Sequence, residues 1–271
     1  MSEIKAFLGV LILSGYVGVS RRRLHCETER DMVIEAISRD KFEYILSNFH
    51  LADNNLNQFD KFAKVRPMLG YLNEKFRDKA LYEKNHSVDE TMVPYFGRHG
   101  CKQYIHGKAI RYGYKLWMGA TKLGYINWFE PYQGFSTITN PSFSEFGVGA
   151  VVVLEYASKL QEKRTDKKFH LFFENLFTSI SLTEKLDEKG YSATGTVRKN
   201  RLPGNNLLDS KALKKEKRGT FDVSKIVDQN VSVLKWNDNK QSSELPIRRE
   251  DGGYAEEVKT RVSTSSVFNS Y

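Results

Sequence analysis

The hydrophobic period of the chain changes near Ser87, and this change limits the possible folds more than any other feature. Before it, apolar residues recur at helical spacing. Ile4, Phe7, Leu8 and Leu11 follow Ser2; Phe42, Ile45, Leu46 and Phe49 follow Ser38-Arg39-Asp40-Lys41; and Val65, Leu69, Leu72 and Phe76 line a third segment with Pro67 near its start. After it, Val88 to Phe96, Tyr114 to Ala120 and Tyr125 to Tyr132 read as extended, separated by Gly97-Arg98-His99-Gly100 and Lys122-Leu123-Gly124. A helix over Ser142 to Lys163, a short apolar strand over Phe169 to Phe173, a helix over Ser179 to Lys189 closed by Gly190, and a strand over Tyr191 to Arg198 complete the order β-β-β-α-β-α-β. Three strands followed by alternating helices and strands predict an α/β fold: a mixed sheet flanked by helices, behind an N-terminal helical layer. Beyond Lys199 the chain turns basic and Asn-rich. A β-rich insertion is expected there, with a strand pair around Val231 to Trp236, a turn at Trp236-Asn237-Asp238-Asn239 and a loose tail. The expected organisation is a helical region over 1–86, the first part of the core over 87–200, a basic, partly β region over 201–250 and the tail over 251–271.

The 271 residues suffice for a sizeable core. Two cysteines, Cys26 and Cys101, supply neither a disulfide framework nor a four-cysteine zinc site, which favours an intracellular setting. The apolar stretch from Ala6 to Val19 is shorter than the ~20 residues a bilayer span needs and reads as a buried helix, so no membrane partner is expected. The net charge of +9 is unevenly placed. From Thr91 to Phe129 there are six basic residues and no acid; from Arg198 to Arg218 there are eight basic and two acidic residues, leaving 28 basic against 31 acidic elsewhere. Two basic patches on a near-neutral body are how a polyanion-binding surface is distributed. The shorter run at 211–218 also has an ordinary reading as a solvated loop.

Asp89 lies on the first strand and Glu174 at the end of the fourth. Acids on neighbouring strands are what metal-dependent phosphoryl transfer requires, because hard carboxylate oxygens suit Mg²⁺ and rigid strands fix their geometry. Any strand can carry an acid, so order alone does not establish that chemistry. His25 and Cys26 have no partner pair at zinc spacing. Trp117, Trp128 and Tyr125 offer faces for base stacking, although a core role is the plainer reading. No Ser-His-Asp signature, phosphate-cradling glycine loop or dinucleotide fingerprint is visible, and no small-molecule substrate is expected.

The residues themselves resemble a family. Ser87-Val88-Asp89-Glu90-Thr91-Met92-Val93-Pro94-Tyr95-Phe96-Gly97-Arg98 is similar to the "IDE-MVPF-GR" segment of piggyBac transposases. The resemblance continues through Lys102-Gln103-Tyr104-Ile105, Lys108 and Gly113-Tyr114-Lys115-Leu116-Trp117. Glu174-Asn175-Leu176-Phe177-Thr178-Ser179 is similar to "DN-FTS", Gly195-Thr196-Val197-Arg198-Lys199-Asn200-Arg201 continues the match, and Trp236-Asn237-Asp238-Asn239-Lys240 is similar to "W-DNK". This resemblance implies a ribonuclease H-like core that breaks and joins DNA with three aspartates and Mg²⁺, in a nuclear protein. The first aspartate falls on Asp89 and the second on Glu174, where the family has Asp. The third belongs to a "YN-MGGVD" segment expected about where the chain ends at Val267-Phe268-Asn269-Ser270-Tyr271, and the family's cysteine-rich zinc module has no counterpart.

The expectation is therefore a transposase-derived DNA-binding protein without cleavage or strand transfer, with Asp89 and Glu174 as remaining catalytic and metal-binding positions and Mg²⁺ bound only if the site is active. Arg98, Lys102, Lys108, Arg111 and Lys115 would line one side of a DNA groove and Arg198, Lys199 and Arg201 the other. A homodimer is compatible with this reading. The alternatives are an active Mg²⁺-dependent transposase or nuclease, and a protein-interaction module or non-functional relic.

Overall fold

A computed structural model describes residues 3–16, 35–53, 59–134, 141–143, 145–202, 207–225, 231–238 and 257–264. The chain divides into two compact units, residues 1–58 with 63–68, and residues 59–62 with 69–271. In the first, helices α1 (Glu3–Tyr16) and α2 (Arg39–Asn48) bury Ala6, Phe7, Val10, Ile37, Phe42 and Ile45. The Phe7 ring lies 5.1 Å from that of Phe42, and Lys41 pairs with Glu3 at 3.0 Å. Ser38 caps α2 by accepting from the Lys41 N–H, satisfying one of the donors that a helix start leaves free. Ser2, His25 and Cys26 lie outside the described residues.

Helix α3 (Arg66–Lys79) begins in the first unit; from Leu69 on it belongs to the second. The second unit is a nine-stranded sheet. Its strands are β1 (Asn85–Pro94), β2 (Lys102–Tyr104), β3 (Tyr112–Thr121), β4 (Ile126–Pro131), β5 (His170–Phe173), β6 (Ser192–Thr196), β7 (Phe221–Lys225), β8 (Val231–Asp238) and β9 (Glu257–Thr264). Strands run in the order β2-β3-β1-β5-β6-β9-β8-β7, and β4 also pairs with β3. β1, β5 and β6 are parallel, with Val88 opposite Phe173 and Phe173 opposite Gly195; the remaining pairings are antiparallel. This is the mixed, ribonuclease H-like sheet that the sequence predicts.

Helices α4 (Val148–Lys163) and α5 (Ile180–Glu188) share one core with this sheet, built on Val88, Trp117, Val153, Leu154, Tyr156, Leu171, Leu182, Leu186 and Ala193. The β-branched run at 151–153 costs α4 a few tenths of a kcal/mol per residue in propensity. Burying each valine returns about 1.5–3 kcal/mol, so packing decides the helix. Ser179 caps α5 by accepting from the Leu182 N–H, and Gly190, at φ 78°, closes it as expected. The outer edge of β4 is protected by α3: the Asn73 amide donates to the Phe129 carbonyl at 2.8 Å and accepts from its N–H at 2.9 Å.

Some expectations are corrected. The helix expected from Ser142 starts at Val148, behind Gly147. The turn expected at Trp236 to Asn239 is partly strand: β8 runs to Asp238 because β7 and β9 pair with it on both sides. The tail expected to be loose supplies β9 (Glu257–Thr264), whose partners are β6 and β8, far away in sequence. The short edge strand β2 lacks a long hydrophobic pattern and was not expected as a strand. The apolar stretch after Ala6 forms α1, but not the buried helix expected: Ala6, Phe7 and Val10 are buried whereas Leu8 and Ile12 are exposed, because the helix packs by one face only. Among the described residues no helix is long and apolar enough to cross a membrane.

Candidate active site

Alternation along β1 sends Val88 into the helix-covered core and leaves Ser87 and Asp89 exposed on the opposite face. Because Val88 pairs with Phe173, the next residues, Asp89 in the middle of β1 and Glu174 just past the end of β5, stand side by side where the parallel pairing of the two strands stops. Both line one cleft of about 240 Å³, together with Ser87, Phe172, Thr194 and Thr196. Clefts at the carboxyl ends of parallel strands are where open α/β sheets place their ligands. The structure thus brings together the two acids that the sequence singles out.

Asp89 accepts the Glu90 N–H at 2.7 Å. Its carboxyl pKa is raised, chiefly because the surrounding protein limits its hydration, with the neighbouring Glu90 charge adding to this. Glu90 itself is only 17% exposed and pairs with Lys108 at 3.1 Å. Burial works against the Lys108 ammonium, but its bond to Glu90 and the fields of Glu90, Asp89 and Glu174 prevail, so its pKa rises.

Glu174 is exposed and opens a tightly held turn. Its carbonyl accepts from the Phe177 N–H at 3.0 Å and from the Thr178 hydroxyl at 2.9 Å. Arg201, in a single 3₁₀ turn at Lys199–Arg201, donates to the carbonyls of Asn175 at 2.8 Å, Thr178 at 2.9 Å and Leu176 at 3.3 Å. Arg198 donates to the Asn175 side chain at 3.1 Å. Gly149 lets the first turn of α4 lie against this segment, since a Cβ there would collide with the Leu176 carbonyl. Below it, the Phe177 ring meets Trp117 edge-on at 5.4 Å. Sequence reasoning assigned Arg201 to DNA; the structure occupies its guanidinium with the turn that carries Glu174.

The remaining basic residues divide into two groups. Lys115 has its ammonium 3.9 Å from the Trp117 ring centre and 4.5 Å from that of Tyr132, and burial lowers its pKa against the opposing field of Glu90. Lys108 and Lys115 are thus both engaged around Glu90. Arg98 and Arg111 are exposed and Lys102 half-buried, and among the described residues none of the three takes part in an ion pair. The Lys199 side chain lies outside the described residues. Trp117 and Trp128 are buried, in keeping with the core reading. Ser87, Phe172, Thr194 and Thr196 were missed as site residues. The signal for them was the alternation itself, since Ser87 and Asp89 share one face of β1 and Thr194 and Thr196 one face of β6.

Carboxylates and hydroxyls make an all-oxygen donor set, which fits a hard cation such as Mg²⁺. Asp89 and Glu174 would hold it. A two-metal arrangement needs further anionic oxygens, and among the described residues no group of three or more His, Cys, Asp or Glu is placed to hold a metal.

Comparison with known proteins agrees with this geometry. A family model described as transposase IS4 matches residues 1–260. The human PiggyBac transposable element-derived protein 3 is 51% identical over 243 residues, covering 88% of this chain and 40% of that protein. The human PiggyBac transposable element-derived protein 2 is 45% identical over 242 residues, with coverage of 88% and 40%. The chain therefore spans about 40% of the length of these relatives. The cryo-EM structure of a piggyBac transposase synaptic complex with hairpin DNA shares the fold, with a TM-score of 0.72 at 21% identity over 96% of this chain and 51% of that one. The sheet order and the matched family model define a transposase core of the ribonuclease H-like class. Within that class, the chain belongs to the piggyBac transposase family.

Proposed function

We propose that this piggyBac-derived chain binds DNA through its basic surface and does not by itself cleave or join it. The observation that carries the reading is the set of exposed cations without ion-pair partners among the described residues, Arg98 and Arg111 with half-buried Lys102, on a stretch with no acid between Thr91 and Phe129. Arg198 and Lys199 form the second arm, while Lys108, Lys115 and Arg201 serve mainly to position Glu90 and the Glu174 turn. Contacts of this type go to phosphates and give strongly salt-dependent affinity. With three to five contacts, log Kd should change with log salt with a slope of about 3 to 4.5. A binding series over rising salt tests this, and absent or salt-insensitive affinity overturns it.

Absence of cleavage is supported by Glu174 standing where the family has Asp. The extra methylene displaces the carboxylate by on the order of an ångström, enough to cost about 100-fold where groups must align. A second reading, a metal-dependent nuclease, draws support from Asp89 and Glu174 sharing one cleft. In either case Mg²⁺, when bound, would stabilise negative charge on a phosphate oxygen. Asp89 and Glu174 would orient the ion, and Arg201 would keep Glu174 in place. Incubation of DNA with the chain and Mg²⁺ or Mn²⁺ distinguishes the two: cleavage lost in Asp89→Ala establishes the nuclease. A nuclear location and a homodimer belong to the same proposal, tested by imaging the tagged chain and by sedimentation.

A further inference from the structure

The sheet face that carries Asp89 continues to an edge of unusual composition. On β3, Tyr112, Tyr114, Leu116 and Met118 alternate onto one face, and Met118 is the partner of Asp89. Tyr104 on β2 stands opposite Tyr112, with ring centres 4.8 Å apart, and Lys102 stands opposite Tyr114. Tyr104 and Tyr112 are 52% and 47% exposed, and nearby in sequence Phe96 is 82% exposed. Neither phenol has a hydrogen-bond partner among the described residues. On the same face of β3, next to this pair, Tyr95 stacks on Tyr114 at 4.6 Å, which extends the row of rings. A cross-strand tyrosine pair alone is ordinary sheet stabilisation. Here the pair is exposed at a sheet edge and accompanied by Lys102, Arg98 and Arg111, with no acid in the surrounding sequence.

From these observations we infer that the Tyr104–Tyr112 edge is a stacking platform for unpaired bases of a single-stranded nucleic acid. Every base offers a π-face to an aromatic ring, while the neighbouring cations follow the phosphates. An acidic peptide would be drawn by the cations alone and would gain little from exposed rings. The distance along β3 from Tyr112 to Met118 is about 20 Å. A strand held on the tyrosines would therefore extend toward the Asp89 cleft over about six nucleotides at duplex rise. This deepens the DNA-binding reading above and depends on it for the shared cations.

Fluorescence anisotropy on the full chain tests it with a blunt duplex, a single strand of equal length and a poly-glutamate competitor. Tyr104→Ala/Tyr112→Ala should weaken single-strand binding at least about tenfold and duplex binding less than twofold. Tyr104→Phe/Tyr112→Phe should retain both affinities, which separates stacking from a folding defect. Lys102→Ala/Arg111→Ala should weaken both substrates. Equal losses for both substrates in the alanine pair, no loss for either, or displacement by poly-glutamate as effective as by nucleic acid would overturn the platform. Intact duplex binding with tyrosine-independent single-strand binding removes the platform and leaves the DNA-binding reading standing; binding of neither substrate at low salt removes both.

Discussion

Leu171 and Phe172 are neighbours on β5, yet Leu171 is fully sealed against α4 and α5 while Phe172 is 37% exposed in the cleft beside Asp89. The same contrast recurs on β1, where Val88 is 1% exposed and Asp89 open, and on β6, where Ala193 is buried in the core and Thr196 lines the cleft. One set of strands thus serves two purposes. The face turned toward the helices carries stability, and the opposite face carries polar and aromatic groups that the helices leave accessible. A strand allows this because its side chains alternate with a period of two, so chemistry can be changed on one face without disturbing packing on the other.

The widest separation between the faces should appear in that adjacent pair. Leu171→Ala is expected to cost about 2–5 kcal/mol, from lost transfer energy and the cavity left behind, whereas Phe172→Ala should cost under about 1.5 kcal/mol. Denaturant unfolding of both variants checks it, and equal losses would mean that the open face is packed as tightly as the other.

Each face also holds one buried histidine. His86 bonds the Tyr156 hydroxyl at 2.7 Å on the helix side; His170 bonds the Thr194 hydroxyl at 2.9 Å and stacks on Phe172 at 4.2 Å on the open side. Burial depresses both pKa values to about 4, with Lys84 adding to the effect on His170. A depressed histidine stays neutral in the folded chain while the unfolded chain takes up the proton, so stability is complete above about pH 6.5 and is lost as the pH falls toward 4. Full loss is about 3 kcal/mol per histidine. His170→Gln should flatten part of that slope without changing stability near pH 8 by as much as the slope it removes. An unchanged slope would place the acid sensitivity elsewhere.

The alternating pattern made a mixed sheet and the chain order of its first elements legible before any coordinates, with Asp89 on one strand and Glu174 at the end of another, whereas the order of the strands within the sheet was not. The boundaries of α5 were equally legible, because Ser179 and Gly190 are local signals. Other parts were not, for reasons of range. β9 is a strand only because β6 and β8 flank it, and the Asn237 amide is buried against the Glu216 carbonyl by a contact between residues 21 positions apart. The roles of the basic residues were also illegible, since a lysine bonded to Glu90 and a lysine open to solvent are the same letter.

Arg198 and Arg201 test that last point directly. Arg201→Ala removes a donor shared by three carbonyls and should cost about 1–3 kcal/mol of stability, while Arg198→Ala, which breaks one exposed side-chain bond, should cost under about 1 kcal/mol. In DNA binding the order should reverse, with Arg198→Ala reducing affinity and the salt slope more than Arg201→Ala does under conditions where both are folded.

The smallest stability effect is expected at Asp89. Its carboxylate is already disfavoured by limited hydration and by Glu90, so Asp89→Asn removes a destabilising charge and should change stability by less than about 1 kcal/mol, or raise it slightly. What the variant should lose is the response to a divalent cation. If Asp89 and Glu174 hold Mg²⁺, adding the ion at 100 times its Kd should stabilise the parent chain by about 2.7 kcal/mol, and Asp89→Asn should abolish that gain. A thermal-melt series with Mg²⁺ measures both quantities. A parent chain that Mg²⁺ leaves unchanged would show that two carboxylates on adjacent strands do not suffice to hold the ion, and that the open face serves binding without metal chemistry.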